Sequence, residues 1–265
     1  MKTILFATDF SINSLHAIRY GLELFKGQPV RYILFNAYVD PSSGVTMTAS
    51  YADVMRELSE SMLKKVHEQL VDDYGYKGLK MDLVSGYGDL PFAPRPIIEK
   101  RGVDLVILGT SGASGPNLAI FGSSAYSMMK DAQCPVLAVP LQTPIEVPSN
   151  IGLASDKVMG GNEPVLAPMF EIAELHGSSI MGVKVLKKKV IDGPAIIDGP
   201  DDQFPFIDLS ANDPLEGIEL AIGEYGIDML TIIIPQRKLL DRIFHKSVSK
   251  QIVKQVTVPI LTLHG

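Results

Sequence analysis

Residues 102–112 read GVDLVILGTSG and join an apolar run to a turn that contains two glycines. The run from Val103 to Leu108 is typical of a strand buried in a parallel sheet. Farther along, Ser123 to Asp131 has the periodicity of a helix. The stretch therefore predicts a strand, a glycine-containing turn at its carboxyl end, and a helix beyond the turn.

The rest of the first half repeats this alternation of strands and helices. Apolar residues recur at spacings of three and four from Leu15 to Phe25, which predicts a helix. Ser11 or Asn13 can cap its start, and Gly27 ends it. Strands alternating with helices over about 140 residues predict a parallel sheet with helices on both faces. The other predicted strands are Thr3–Thr8, Arg31–Val39, Leu79–Val84 and Val136–Val139, and the other helices are Pro96–Arg101 and Tyr51–Tyr74, with Leu58, Met62, Val66 and Leu70 on one side of the last.

The pattern then begins again in the second half. A constant offset of 124 residues relates Gly102 to Gly226, Ser123 to Ser247 and Pro135 to Pro259. A repeat of this length indicates a duplicated domain, with residues 142–149 as the linker. We expect domains at 1–141 and 149–265. In the second we expect strands at 150–154 and 179–186, a helix at 168–176, and a loop over 192–205, which is rich in Gly, Pro and Asp.

Composition excludes several classes of protein. The chain has 265 residues, 24 basic and 30 acidic side chains, and a net charge of -6. This balance argues against a protein that binds nucleic acid through its overall positive charge. No apolar run is long enough to cross a membrane, and no signal-peptide core is present, so we expect a cytoplasmic protein. Its single cysteine, Cys134, can form neither an internal disulfide nor a multi-thiolate zinc site and reads as a buried small hydrophobe. The five histidines have no ligand spacing.

Glycines at the end of a predicted strand and at the start of a predicted helix indicate a binding site in the first half. Gly109 and Gly112 lie beyond the carboxyl end of a strand, where ligands bind in open parallel sheets. Glycine lets backbone N–H groups approach phosphate oxygens. Gly122 and Ser123 open the last helix, whose free N–H groups and positive dipole end attract anions. Ser124 offers a second hydroxyl. The alternative interpretation is a set of tight turns with no ligand.

These residues resemble the universal stress protein family, over nearly the whole chain and as two tandem copies. The family's nucleotide-binding members carry Gly-x2-Gly-x9-Gly-Ser/Thr, and Gly109, Gly112, Gly122 and Ser123 have these gaps. The segments ILFATDFS at 4–11 and CPVLAVP at 134–140 are also similar to the family's. Thr110 and Ser111 stand where the family often has a longer basic side chain.

The resemblance implies a fold and a ligand. The fold would be α/β, with two tandem doubly wound, parallel, five-stranded sheets that are Rossmann-like, similar to adenine nucleotide alpha hydrolases, and related by a pseudo-two-fold axis. The ligand would be ATP, or AMP or ADP, with Mg²⁺ possible through Asp9. The glycines and serines would hold phosphates and ribose, and the backbone of Ala37 would meet the adenine edge. Asp9 would lie near the adenine and ribose or near a bound metal, and Thr8 would belong to the same nucleotide site. The halves would pair through their last strands as an intramolecular pseudo-dimer, with a homodimer also open.

The second copy has lost the glycines. The offset puts Ile233, Gln236 and Lys246 where the first copy has glycine, and only Ser247 survives. Pro235 would stiffen the loop. Basic residues cluster there, which reads as a solvated helix face or as an anion or partner site: Arg237, Lys238, Arg242, Lys246 and Lys250.

Three functions remain open on these residues. The first is a stress-response regulatory protein that binds an adenine nucleotide in its first domain, with slow or no hydrolysis, and meets an unknown protein partner. The second is a weak ATPase or phosphoryl-transfer enzyme, although the usual parts for rapid phosphoryl transfer are missing. The third is a nucleotide-free dimerisation scaffold.

Overall fold

The computed structural model describes residues 2–39, 49–111, 122–155, 163–187, 195–197, 204–234 and 256–265. These residues divide into two compact units, the first reaching residue 145 and the second beginning at residue 146. Each unit is built from parallel strands and helices, so the expected α/β class is confirmed.

The first unit contains five strands and four helices among its described residues. In its sheet the strand order is β3-β2-β1-β4-β5, and all neighbours are parallel. The elements are β1 (Lys2–Ala7), α1 (Ile12–Leu24), β2 (Val30–Tyr38), α2 (Ala49–Asp72), β3 (Met81–Tyr87), α3 (Arg95–Arg101), β4 (Leu105–Gly109), α4 (Ser123–Asp131) and β5 (Val136–Val139).

The strand order of the first sheet reverses between its two central strands, β1 and β4. From β1 the chain adds β2 and β3 on one side, and it then returns to add β4 and β5 on the other. Leu5 and Phe6 of β1 and Val106 and Ile107 of β4 have no solvent exposure, as their apolar runs predict. A doubly wound sheet opens a crevice at the carboxyl ends of the strands where its order reverses, here β1 and β4.

The buried face of α2 differs from the predicted one. Leu58 was expected to face the core, but its side chain is 54% exposed. Val66 and Leu70 are buried as predicted, and Ser59 and Leu63 complete the buried face where Leu58 and Met62 were expected. Spacings of three and four fit both sets, and the helix rotates so that a serine is buried, because that serine finds hydrogen-bond partners in the sheet.

Strand β3 runs farther than predicted. It was expected to end at Val84, before Gly86, but it continues to Tyr87, with Gly86 paired to Ala37 of β2. A Cβ on Gly86 would lie 2.6 Å from the ring of Phe35. This glycine therefore makes room for an aromatic ring inside the strand rather than ending it.

The second unit holds six described strands, one more than expected. Their order is β11-β10-β6-β7-β9-β8, with only β8 antiparallel to its neighbour. The elements are β6 (Asn150–Ala154), a short 3₁₀ turn (Pro164–Leu166), α5 (Ala167–His176), β7 (Ser179–Lys187), β8 (Ala195–Ile197), β9 (Phe206–Ala211), α6 (Pro214–Tyr225), β10 (Met229–Ile234) and β11 (Ile260–His264).

The extra strand lies in the stretch predicted as a loop. Three residues are too short a run to be recognised between Gly- and Pro-rich flanks, and β8 forms because β9 offers it an unpaired edge. Strand β9 and helix α6 were not predicted from the sequence. Asp213 caps α6 by accepting hydrogen bonds from the N–H groups of Leu215 and Glu216, at 2.9 and 3.0 Å. Within the described residues, no helix combines the length and apolar character that crossing a membrane requires.

Candidate functional site

At the carboxyl ends of β1 and β4, where a doubly wound sheet is expected to open a crevice, the first unit has the turn after β1, Thr110 and Ser111 after β4, and the start of α4. The first of these, Thr8 to Ser11, is tightly folded. Phe10 has a φ of 65°, its N–H donates to Thr8 Oγ1 at 3.0 Å, and the N–H of Ser11 donates to Asp9 Oδ1 at 3.1 Å. Thr8 is buried while Asp9 is exposed at the mouth of the crevice.

Asn13, in the first turn of α1, joins this helix to the turn after β4. Its Nδ2 donates to Ser111 Oγ at 2.9 Å and to the Ser111 carbonyl at 3.1 Å, and the side chain is 4% exposed. A Cβ on Gly109 would lie 2.9 Å from Asn13 Cγ and 3.0 Å from its backbone carbon. Gly109 therefore has a packing reason to be glycine that is independent of any ligand.

The start of α4 lies against the same turn. The Gly122 N–H donates to the Thr110 carbonyl at 2.7 Å. Gly122 occupies the N-cap position with φ -63° and ψ 153°, and no side chain caps the helix. Ser123 and Ser124 are exposed at this end. Among the described residues, no side chain caps the first N–H groups of α4, which form the positive end of the helix.

On the other side of β1, a chain of buried hydrogen bonds holds the carboxyl-terminal end of β2. Asn36 Nδ2 donates to the Thr8 carbonyl at 2.7 Å, and Asn36 Oδ1 accepts from Ser59 Oγ of α2 at 2.7 Å. The Ser59 and Ser85 hydroxyls share a further bond of 2.7 Å. These contacts tie β1, β2, β3 and α2 together next to Ala37.

The structure thus brings most of the predicted site residues to one edge of one sheet. Thr8, Asp9 and Ala37 follow or end β1 and β2, Gly109 ends β4, and Gly122, Ser123 and Ser124 begin α4. The remaining predicted residue, Gly112, lies outside the described residues.

Sequence reasoning missed three polar side chains that build this edge. Asn13 was considered only as a helix cap, and Asn36 and Ser59 were not singled out. A signal existed: Asn36 stands in an apolar strand and Ser59 on the apolar side of a helix, and buried polar groups need partners.

The residues present fit an anionic, hydrogen-bonding ligand. Asn13 Oδ1 is buried and has no hydrogen-bond partner among the described residues; as an acceptor it suits a donor group of a ligand, such as a hydroxyl, and not the anion itself. The N–H groups at the start of α4 supply donors. In the part of the chain that the structure describes, no three His, Cys, Asp or Glu side chains form a group that could hold a metal ion. Asp9 is thus a single carboxylate, which suits Mg²⁺ only together with phosphate oxygens.

In the second unit, the pairing of β6 with β7 ends with the same hydrogen bond as the pairing of β1 with β2 in the first unit. The Ser155 N–H donates to the Val183 carbonyl at 3.0 Å, as the Thr8 N–H donates to the Phe35 carbonyl at 2.9 Å. This bond makes Thr8 and Ser155 equivalent in structure.

The side chains around that bond differ between the units. Lys184 follows Val183 where Asn36 follows Phe35, and it pairs in register with Asp208 where Asn36 pairs with Ser85. One atom of the Asp208 carboxylate, Oδ1, is buried without a hydrogen-bond partner among the described residues. The second unit therefore carries charges where the first has a neutral amide and hydroxyl.

The glycine turn of the second unit is only partly described. Ile233, which replaces Gly109, lies in β10 opposite Leu263. The other predicted replacements and the basic cluster lie outside the described residues: Pro235, Gln236, Arg237, Lys238, Arg242, Lys246, Ser247 and Lys250.

Comparison with known proteins gives consistent matches. A model of the Universal stress protein family matches residues 1–140. A curated universal stress protein of Methanocaldococcus jannaschii is 28% identical over 142 residues, which cover 52% of this chain and 81% of the relative. The crystal structure of a universal stress protein from Archaeoglobus fulgidus is 15% identical, covers 98% of this chain and 97% of that chain, and superposes with a TM-score of 0.69. A universal stress protein in complex with cAMP is 18% identical and covers 52% of this chain and 96% of that chain, and its TM-score of 0.40 is too low to say anything about the ligand of this chain.

Proposed function

The chain belongs to the universal stress protein family, and on that premise we propose that its first domain, residues 1–141, is a regulatory module that binds ATP or a related adenine nucleotide. The second domain, residues 149–265, lacks the glycines and would bind no nucleotide. Occupancy of the first domain would change how the chain meets a protein partner.

The observation that carries this proposal is the start of α4. The helix begins at Gly122 with no capping side chain among the described residues, and the bond from the Gly122 N–H to the Thr110 carbonyl holds it at the point where the strand order reverses. Free N–H groups and the positive helix end attract phosphate. Ser123 and Ser124 would donate their hydroxyls to the same oxygens, and Gly112 would bring its backbone N–H to them.

The remaining contacts follow from the positions of the strands. Asp9 is exposed directly after β1, and we propose that its carboxylate accepts from a ribose hydroxyl or shares a Mg²⁺ ion with the phosphates. Thr8 is buried and bonded to Ser14 at 2.9 Å, so its role would be to shape the turn rather than to touch the ligand. The backbone of Ala37 would meet the base.

A substitution that copies the second half tests the proposal. Gly122→Lys places a long side chain at the start of α4, and it copies the lysine that the 124-residue offset aligns with Gly122 in the second half. The extended backbone at Gly122 accepts any residue, so the fold should survive. Calorimetric titration with ATP and Mg²⁺ should show binding by the wild type and a loss of at least about tenfold in the variant.

Gly223→Lys is the matched control. This glycine lies in α6 of the second unit, and no heavy atom lies within 4 Å of a Cβ built there. The control should bind ATP as the wild type does. The proposal fails if the wild type binds no adenine nucleotide, or if Gly122→Lys binds it unchanged.

A further inference from the structure

The ladder between β1 and β2 stops one hydrogen bond short of where parallel pairing would carry it. In a parallel ladder, the residue whose N–H donates across the gap also accepts, through its carbonyl, from the residue two positions along the partner strand. The Thr8 N–H donates to the Phe35 carbonyl at 2.9 Å. The Thr8 carbonyl should therefore accept from the Ala37 N–H.

The Thr8 carbonyl instead accepts from a side chain. Asn36 Nδ2 donates to it at 2.7 Å, and the register of β1 with β2 ends at the pair Ala7 and Phe35. On the far side of the turn, the Phe10 N–H, which would reach the Ala37 carbonyl in a continued ladder, donates to Thr8 Oγ1 at 3.0 Å. The two backbone groups that would pair with Ala37, the Thr8 carbonyl and the Phe10 N–H, thus bond to side chains instead.

Asn36 is fixed in this orientation from its other end. Its Oδ1 accepts from Ser59 Oγ at 2.7 Å, and Ser59 Oγ is also bonded to Ser85 Oγ at 2.7 Å. Asn36 and Ser59 are only 6% and 3% exposed, so water does not compete strongly for these bonds. An amide held at both ends has one orientation, with its N–H group on the Thr8 carbonyl.

The second unit offers an internal comparison. Lys184 takes the place of Asn36, and Asp208 takes the place of Ser85. A lysine head is a mobile donor that cannot accept a hydrogen bond, so it cannot be anchored in the way that Ser59 anchors the Asn36 amide. The anchored amide thus lies in the same half as the retained glycines.

We propose that Asn36 is a positioning residue: by taking the Thr8 carbonyl, it keeps the N–H and carbonyl of Ala37 open as a donor beside an acceptor for the edge of an aminopurine base. Adenine matches that pair with a ring nitrogen that accepts and an exocyclic amine that donates. Hypoxanthine has a protonated ring nitrogen and a carbonyl in these places, so it mismatches both. The inference rests on the proposed nucleotide binding and adds the residue that sets its selectivity for the base.

Asn36→Ala is the test. Without the amide, the Ala37 N–H pairs with the Thr8 carbonyl and the ladder closes by one bond. ATP should bind about tenfold more weakly, and the preference for ATP over inosine triphosphate should disappear. Inorganic tripolyphosphate, which reaches only the α4 end, should bind the variant and the wild type equally. Ser59→Ala, which frees only the anchored end, should lose part of the preference.

Amide hydrogen exchange followed by NMR provides a readout that needs no nucleotide. In the ligand-free protein, the Ala37 amide should exchange about tenfold more slowly in Asn36→Ala than in the wild type, because it gains a hydrogen bond. Thr231→Val, which removes a buried hydroxyl from β10 of the second unit, is the matched control and should change neither exchange at Ala37 nor binding.

The outcomes separate the two proposals. If the wild type binds neither ATP nor tripolyphosphate, the proposed function fails and the selectivity inference fails with it. If the wild type binds ATP and Asn36→Ala keeps its affinity and base preference, only the inference fails. Equal exchange of the Ala37 amide in the two proteins also overturns the inference, and a variant that loses tripolyphosphate as well as ATP contradicts a role confined to the base.

Discussion

Replacing Gly109 with alanine tests whether this glycine serves packing rather than only a ligand. The added Cβ would lie 2.9 Å from Asn13 Cγ, 3.0 Å from Asn13 Nδ2 and 3.0 Å from the Asn13 backbone carbon. Because one of these atoms belongs to the backbone of α1, a change of rotamer cannot relieve the contact fully. Overpacking of this kind costs about 1–3 kcal/mol, and we expect about 2 kcal/mol for Gly109→Ala.

The assay is urea unfolding followed by circular dichroism, with hydrogen exchange of α1 and β4 peptides to assign the change to the first unit. Gly223→Ala is the matched control, since nothing lies within 4 Å of its Cβ and alanine is favoured in a helix. It should stabilise the protein by about 0.5–1 kcal/mol. The two substitutions should therefore have opposite signs.

A double-mutant cycle identifies the cause. Asn13→Ala removes two of the three close atoms, together with the hydrogen bonds from Asn13 to Ser111. Combined with Gly109→Ala, it should recover about 1 kcal/mol of the cost relative to additivity. Close packing of Gly109 against Asn13 is contradicted if Gly109→Ala stabilises the protein as Gly223→Ala does, or if the Gly109 and Asn13 substitutions show no coupling.

Two further predictions concern buried titratable groups. Burial lowers the pKa of His16 below 6.5; a backbone hydrogen bond with Thr143 opposes this shift, and the charge of Arg19 adds to it. The neutral ring thus contributes stability that is present above pH 6.5 and is lost as the pH falls through the lowered folded pKa. Between about pH 7.5 and about pH 5, the wild type should therefore lose more stability than His16→Gln. Equal losses of stability in urea unfolding would contradict this prediction. Burial raises the pKa of the Cys134 thiol to about 12, with the Asp104 charge adding to the shift. Iodoacetamide should therefore label Cys134 about a hundredfold more slowly in the native protein than in urea, and comparable rates would show that the thiol is accessible.

Local patterns in the sequence predicted much of the fold. The order of strands and helices in the first half follows from apolar runs and helical spacing, and α4 and β5 have the bounds that these patterns indicate. The errors arise where a local signal is ambiguous. Strand β3 was predicted to end at Val84, but it continues through Gly86, which lies against the ring of Phe35. Strand β8 was too short to be recognised among glycines and prolines.

Spacing along the chain was enough to predict the duplication, the α/β alternation and the positions of the candidate glycines. The contacts that the site residues make could be seen only in the folded chain. Asn13 meets Ser111 across 98 positions, and Asn36 meets Thr8 across 28 and Ser59 across 23. Such contacts depend on strand register and on the rotation of a helix about its axis. Periodicity leaves that rotation open within about one residue, and burial of a polar side chain with its partner selects the answer.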